Sequence, residues 1–129
     1  MPRALRVIHL LWIAGFLVGT VSHVLDLAAA GTEVYAGFPA GLRVFWISLT
    51  VLDLLVVGLL AFRRVAGVVL AVVVILADIA VNWIVFATIG GNPLYGVVNQ
   101  TVFAVFLLVT APSLGRWCRA FHAERPDRR

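Results

Sequence analysis

The sequence predicts an all-α polytopic membrane protein, an antiparallel bundle of four transmembrane helices with both ends on the cytoplasmic side. Three observations carry that expectation. Of 129 residues, 63% are hydrophobic and 12% charged, against about 45–50% and about 25% in ordinary soluble domains. A domain of this size cannot hide so much apolar surface, so its solvent is lipid. The apolar residues also gather into four long runs, and the arginines at their ends are distributed very unevenly.

The runs cover residues 7–30, 44–62, 65–89 and 94–111. About 20 residues, rising about 1.5 Å each, cross the hydrocarbon of a bilayer. Lipid offers no partners to an open strand edge, so each run is a helix. Residues 1–115 thus form one bundle, and 116–129 an arginine-rich cytoplasmic tail, either solvated or lying as an interfacial helix. The first connection (AGTEVYAGFPAGLR) holds three glycines and Pro39, marking a loop with room for a short surface helix. Arg63-Arg64 alone joins the second run to the third, which forces a hairpin. Gly90-Gly91-Asn92-Pro93 is a strong turn signal before the fourth run.

Orientation follows from the arginines. Arg3, Arg6, Arg63, Arg64, Arg116, Arg119, Arg125, Arg128 and Arg129 fall on one side and Arg43 on the other, with no lysine anywhere. This is the positive-inside pattern, and it suits a bacterial-type inner membrane. A cleavable signal peptide is the competing reading of the start, with Ala28-Ala29-Ala30 before Gly31 as the cleavage site. The apolar run exceeds the usual about 7–15 residues, and His23 and Asp26 precede the site, so the first helix is expected to stay.

The net charge of +4 does not point to nucleic acid, because the arginines cap apolar runs and face lipid headgroups. Cys118 is the single cysteine, so neither an internal disulfide nor a CxxC redox pair exists. No HxxxH or CxxC spacing offers a metal or haem site. No Gly-rich loop follows a strand, and Ser22 and Ser48 lack a hydrolase setting. Trp12, Trp46 and Trp117 fall where indoles anchor at the membrane interface, and Trp83 is expected against the bundle.

Ionisable groups inside a span are expensive and mark function by default. Asp53 lies ten residues from both Arg43 and Arg63, at the bilayer midplane. Asp78 is fourteen residues beyond Arg64, about 21 Å from the cytoplasmic side. Asn82 is one turn further on the same face. His23 and Asp26 occupy the outer end of the first span, and Asn99 and Gln100 the outer end of the fourth. The inner half is nearly all aliphatic apart from His9, which is placed to snorkel to the cytoplasmic interface. Gly15, Gly19, Ser22, His23 and Asp26 share one stripe, so Gly15-xxx-Gly19 admits a close neighbour below a polar region. His23, Asp26, Asp53, Asp78, Asn82 and Asn99 therefore predict a polar cavity in the outer half of the bundle. A structural reading stands beside it, in which these groups hydrogen-bond across helices and merely fix which faces meet.

The run GFLVGTVSHVLD (15–26), with Gly37-Phe38-Pro39, resembles the opening of the DoxX-like membrane proteins. The stretch DLLVVGLLAFRRVAGVVLAVVVILADIA resembles their middle, and the likeness covers about residues 6–80. It implies a four-helix membrane bundle and an accessory role in respiratory or redox complexes. Asp53 would match the family's span-two acid, which is usually Glu, and His23 stands near a polar family position in span one. The chain has no redox cysteine pair and no cofactor of its own, so electron transfer would belong to a partner protein. Acids in four helices also resemble the layout of sterol-isomerase-like membrane proteins. The expected function is an accessory or ligand-binding subunit holding a quinone, isoprenoid or other lipid, alone, as a homo-oligomer or in a larger complex. The alternatives are a small proton-coupled transporter using Asp53 and Asp78, and an enzyme isomerising a lipid by acid–base work.

Overall fold

The computed structural model describes residues 2–124, and Arg125, Arg128 and Arg129 of the arginine pattern lie outside the described residues. Four helices appear: α1 (Arg3–Ala30), α2 (Ala40–Ala61), α3 (Val65–Thr88) and α4 (Asn99–Ala123), with no strand among the described residues. Each is long and apolar enough to cross a membrane. At about 1.5 Å per residue even α2, the shortest, reaches about 33 Å. A short 3₁₀ turn (Gly31–Glu33) follows α1, and a π-helical turn (Leu94–Val98) leads into α4.

The helices pack side by side in chain order, and α1 also meets α4. Their inward stripes follow helical spacing, as with Trp46, Leu49, Asp53, Val56 and Leu60 on α2. Aliphatic side chains cover the outside: Val51 is 69% exposed and Val109 73%. Continuous outward apolar surface on every helix suits lipid and would aggregate in water.

Local chemistry sets the tight α2–α3 turn. The Arg64 amide donates to the Leu59 carbonyl and the Arg63 amide to Leu60, closing α2 with Arg63 at φ 54°. This is the hydrogen-bond pattern that usually carries glycine at the left-handed position. Arg63 gains partners there, since its guanidinium lies 4.3 Å from the centre of the Phe121 ring and 5.0 Å from that of Trp117. Gly67 then lets α3 start flush against α2: a Cβ there would stand 2.9 Å from the Leu60 amide nitrogen.

Three expectations need correction. The fourth helix starts at Asn99 and runs through Pro112 to Ala123, beyond the predicted 94–111, so residues 116–123 are helical. The cause is a second apolar stripe, with Leu114, Trp117 and Cys118 buried and Trp117 edge-on to His9 at 5.2 Å. His9 does not snorkel. It is buried, and Nε2 donates to the Leu60 carbonyl at 2.7 Å, which fixes the proton on that nitrogen because a carbonyl only accepts.

The tryptophans also exchange roles. Trp12 is fully buried and donates to Thr110 Oγ1 at 3.0 Å, while Trp46 and Trp117 are buried in the same core. Trp83 instead is 44% exposed and donates to Thr101 Oγ1 at 2.9 Å. An indole goes inside where a neighbouring helix presents an acceptor or an aromatic face, and proximity to a span end does not reveal that.

Candidate functional site

A cavity of about 390 Å³ opens between the four helices at the level of Asp53. Its floor is Gly15, Phe16, Val74 and Ile75, and its polar wall is Gly19, Ser22, His23, Asp53, Asp78, Asn99 and Gln100. A second recess of about 270 Å³ shares His23, Asp78 and Gln100 and adds Tyr35, Phe38, Trp46, Asn82 and Val85. Five of the six expected site residues line one recess or the other. Asp26 does not. It is exposed one turn beyond His23 and accepts a 2.7 Å hydrogen bond from the Tyr35 hydroxyl.

The α1 stripe acts through what its glycines leave open. A Cβ on Gly19 would stand 2.6 Å from Asp53 Oδ2, and one on Gly15 would collide with the Phe103 ring. The small-residue step thus admits side chains from α2 and α4 instead of a bare backbone. It sets the α2 carboxylate directly against α1. Asp53 is 7% exposed and Asp78 9%. The Asp53 carboxylate lines the cavity, and His23 Nδ1 is buried without a partner among the described residues. A desolvated polar atom such as His23 Nδ1 is costly unless something hydrogen-bonds it.

Asp78 is better supported. Asn82 donates through Nδ2 to Asp78 Oδ1 at 2.9 Å and to Gln100 Oε1 at 2.6 Å, and its own Oδ1 accepts from Trp46 Nε1 at 3.1 Å. One amide therefore ties α2, α3 and α4 together. The π-helical turn and Pro93 bring Asn99 and Gln100 to this level, and such turns recur at functional sites. Interhelical side-chain bonds within membranes average about 0.6 kcal/mol each. Asn82→Leu removes the bonds to α2 and α4 together, so an expected loss of about 1–2 kcal/mol should appear as a lower unfolding midpoint in detergent. Trp46→Phe should cost only part of that.

The outer rim is aromatic. Tyr35 and Phe38 pack on Trp46 with centroids 5.0 and 4.9 Å apart. Tyr35 sits at φ 58°, a strained setting for a bulky residue. Burial first, then the hydrogen bond to Asp26 and that residue's charge, holds its phenol above the ordinary range, so Tyr35 keeps its proton and remains a donor. Tyr35, Trp46 and Phe103 do not stand out as site residues from sequence alone. An outer-loop Gly-Phe-Pro and aromatics at helical spacing were the available signals, and both occur commonly in plain cores.

Four membrane-length helices around a polar cavity place the chain in the class of multi-pass helical membrane proteins. No family model, curated protein or solved structure matches it.

Proposed function

We propose that the chain is an accessory membrane subunit that holds a lipophilic molecule of quinone or isoprenoid type by its polar head. The observation that carries this reading is the Asp53 carboxylate, buried against Gly19 at the cavity wall, on the same cavity as His23 Nδ1, which is buried without a partner among the described residues. A head bearing hydroxyls supplies donors to Asp53 and a partner for His23 Nδ1, while Val74, Ile75 and Phe16 accept its apolar part. The resemblance of residues 6–80 to DoxX-like proteins, with Asp53 at the family's span-two acid, supports the same reading.

The bundle is antiparallel with both ends cytoplasmic, in a bacterial-type inner membrane. The contacts of His9 with Leu60 and Trp117, and of Arg63 with Phe121, gather the arginine-bearing ends of α1, α2 and α4. The excess of positive charge at those ends supports the orientation. A topology reporter inserted beside Arg64 should read cytoplasmic and one beside Gly91 external, and the reverse result would overturn it.

Binding is tested with decylbenzoquinol, a hydroxylated head on an alkyl tail, added to the detergent-solubilised protein with tryptophan fluorescence as readout. Saturable quenching that is lost in His23→Leu is expected. Quenching that rises linearly in both proteins would mean simple partition into detergent and would sink the proposal. Proton flux in liposomes that disappears in Asp53→Asn would favour a proton-coupled transporter instead.

A further inference from the structure

The geometry points to a tail subsite for that ligand in the groove between α1 and α4, reached sideways from the bilayer past Phe103. The inference rests on the head-binding reading above and adds where the rest of the molecule lies. A groove of about 430 Å³ runs along the outside of these two helices, lined by Leu11, Ala14, Val18, Val102 and Phe106. It also shares Gly15, Val18, Asn99 and Phe103 with the polar cavity, so the two spaces meet at one seam.

Chemistry changes sharply across that seam. On the groove side every lining residue except Asn99 is apolar or glycine, and Leu11, Val18 and Val102 face outward. On the cavity side stand His23, Asp53 and Asp78. This is the division an amphiphile needs, with the tail in contact with lipid and the head among acceptors. From Leu11 to Val18 the groove follows α1 for about 10 Å, enough for the first carbons of a single tail, the remainder lying in the bilayer.

Phe103 stands at the seam. Its ring occupies the space left by the missing side chain of Gly15 and packs on Phe16 at 5.7 Å. Rotating this one ring opens or closes the way between groove and cavity without moving a helix.

The test compares decylbenzoquinol with its tail-less counterpart, 1,4-benzoquinol, on the full chain. Ala14→Trp and Val102→Trp fill the groove from exposed positions, and Val51→Trp places the same bulk on the lipid face of α2 as a control. Both groove variants should weaken the long probe several-fold, because their bulk excludes the tail from the groove, and leave the tail-less probe unchanged. Val51→Trp should change neither. Unaltered affinity for the long probe in the groove variants would overturn the tail subsite while leaving the head site standing. Equal weakening of both probes would overturn it too, since bulk in the groove would then be acting on the head site. A change of oligomeric state confined to the groove variants would assign the groove to a second copy of the chain. If the wild-type protein bound neither probe, the head site itself would fall, and the subsite with it.

Discussion

Asp53→Asn is expected to weaken binding of decylbenzoquinol by roughly ten- to a hundred-fold, with the protein still inserting and folding normally. The substitution keeps the side chain's size against Gly19, so the packing that surrounds it survives. It replaces one carboxylate oxygen, an acceptor, with an NH₂ that can only donate, and that group then faces the hydroxyls of the ligand. Leaving a buried hydrogen-bonding group without its partner costs about 1–3 kcal/mol, which converts to about the stated range. Asp53→Leu should remove binding as well. A purely structural carboxylate behaves differently: Asn would bind as well as Asp, and Leu would damage assembly. Monodispersity by size exclusion separates the two. Asp78→Asn is expected to have a smaller effect, because Asn82 already engages that side chain through Oδ1.

Gly19→Leu should damage the bundle. Even a single Cβ there would stand 2.6 Å from Asp53 Oδ2, so a full isobutyl group has to displace the α2 side chain or separate α1 from α2. Overpacking of this kind costs about 1–3 kcal/mol, occasionally more. A clear drop in the unfolding midpoint in detergent is expected, together with loss of binding. Leu17→Ile, an outward position on the same helix, should be nearly neutral. Gly19→Ala offers a finer measurement in a double-mutant cycle with Asp53→Ala. Removing the carboxylate should relieve the clash, and the two changes should couple by about 0.5–3 kcal/mol. Strict additivity would mean that the two residues do not share the space.

The number of helices was legible in the sequence because lipid imposes length and composition on each span independently of its neighbours. The α1 stripe from Gly15 to His23 was legible for a similar reason, since helical spacing alone puts those residues on one face. What a stripe meets is a different matter. That Gly19 would receive Asp53, and Gly15 the ring of Phe103, depends on the axial offset of α2 and α4, which no local pattern encodes. Trp12 was misplaced on the same account, because its acceptor, Thr110, lies ninety-eight residues away in the chain. The fourth helix passed Pro112 because Leu114, Trp117 and Cys118 continue its buried stripe, and this packing outweighs the local signal to stop. Asp26 shares the α1 stripe with His23, yet it is taken up by Tyr35 from a loop whose course the sequence left open.

The most direct measurement is mass spectrometry of the small molecules retained by the protein after purification from a native membrane in mild detergent. If the cavity holds a lipophile by its head, the wild-type protein should carry a hydroxylated isoprenoid or quinone-type molecule in near-stoichiometric amount. The Asp53→Asn protein, equally monodisperse, should carry much less of it. Recovery of bulk phospholipid alone, in the same proportion from both proteins, would contradict a binding role for the cavity and return Asp53 to a structural one.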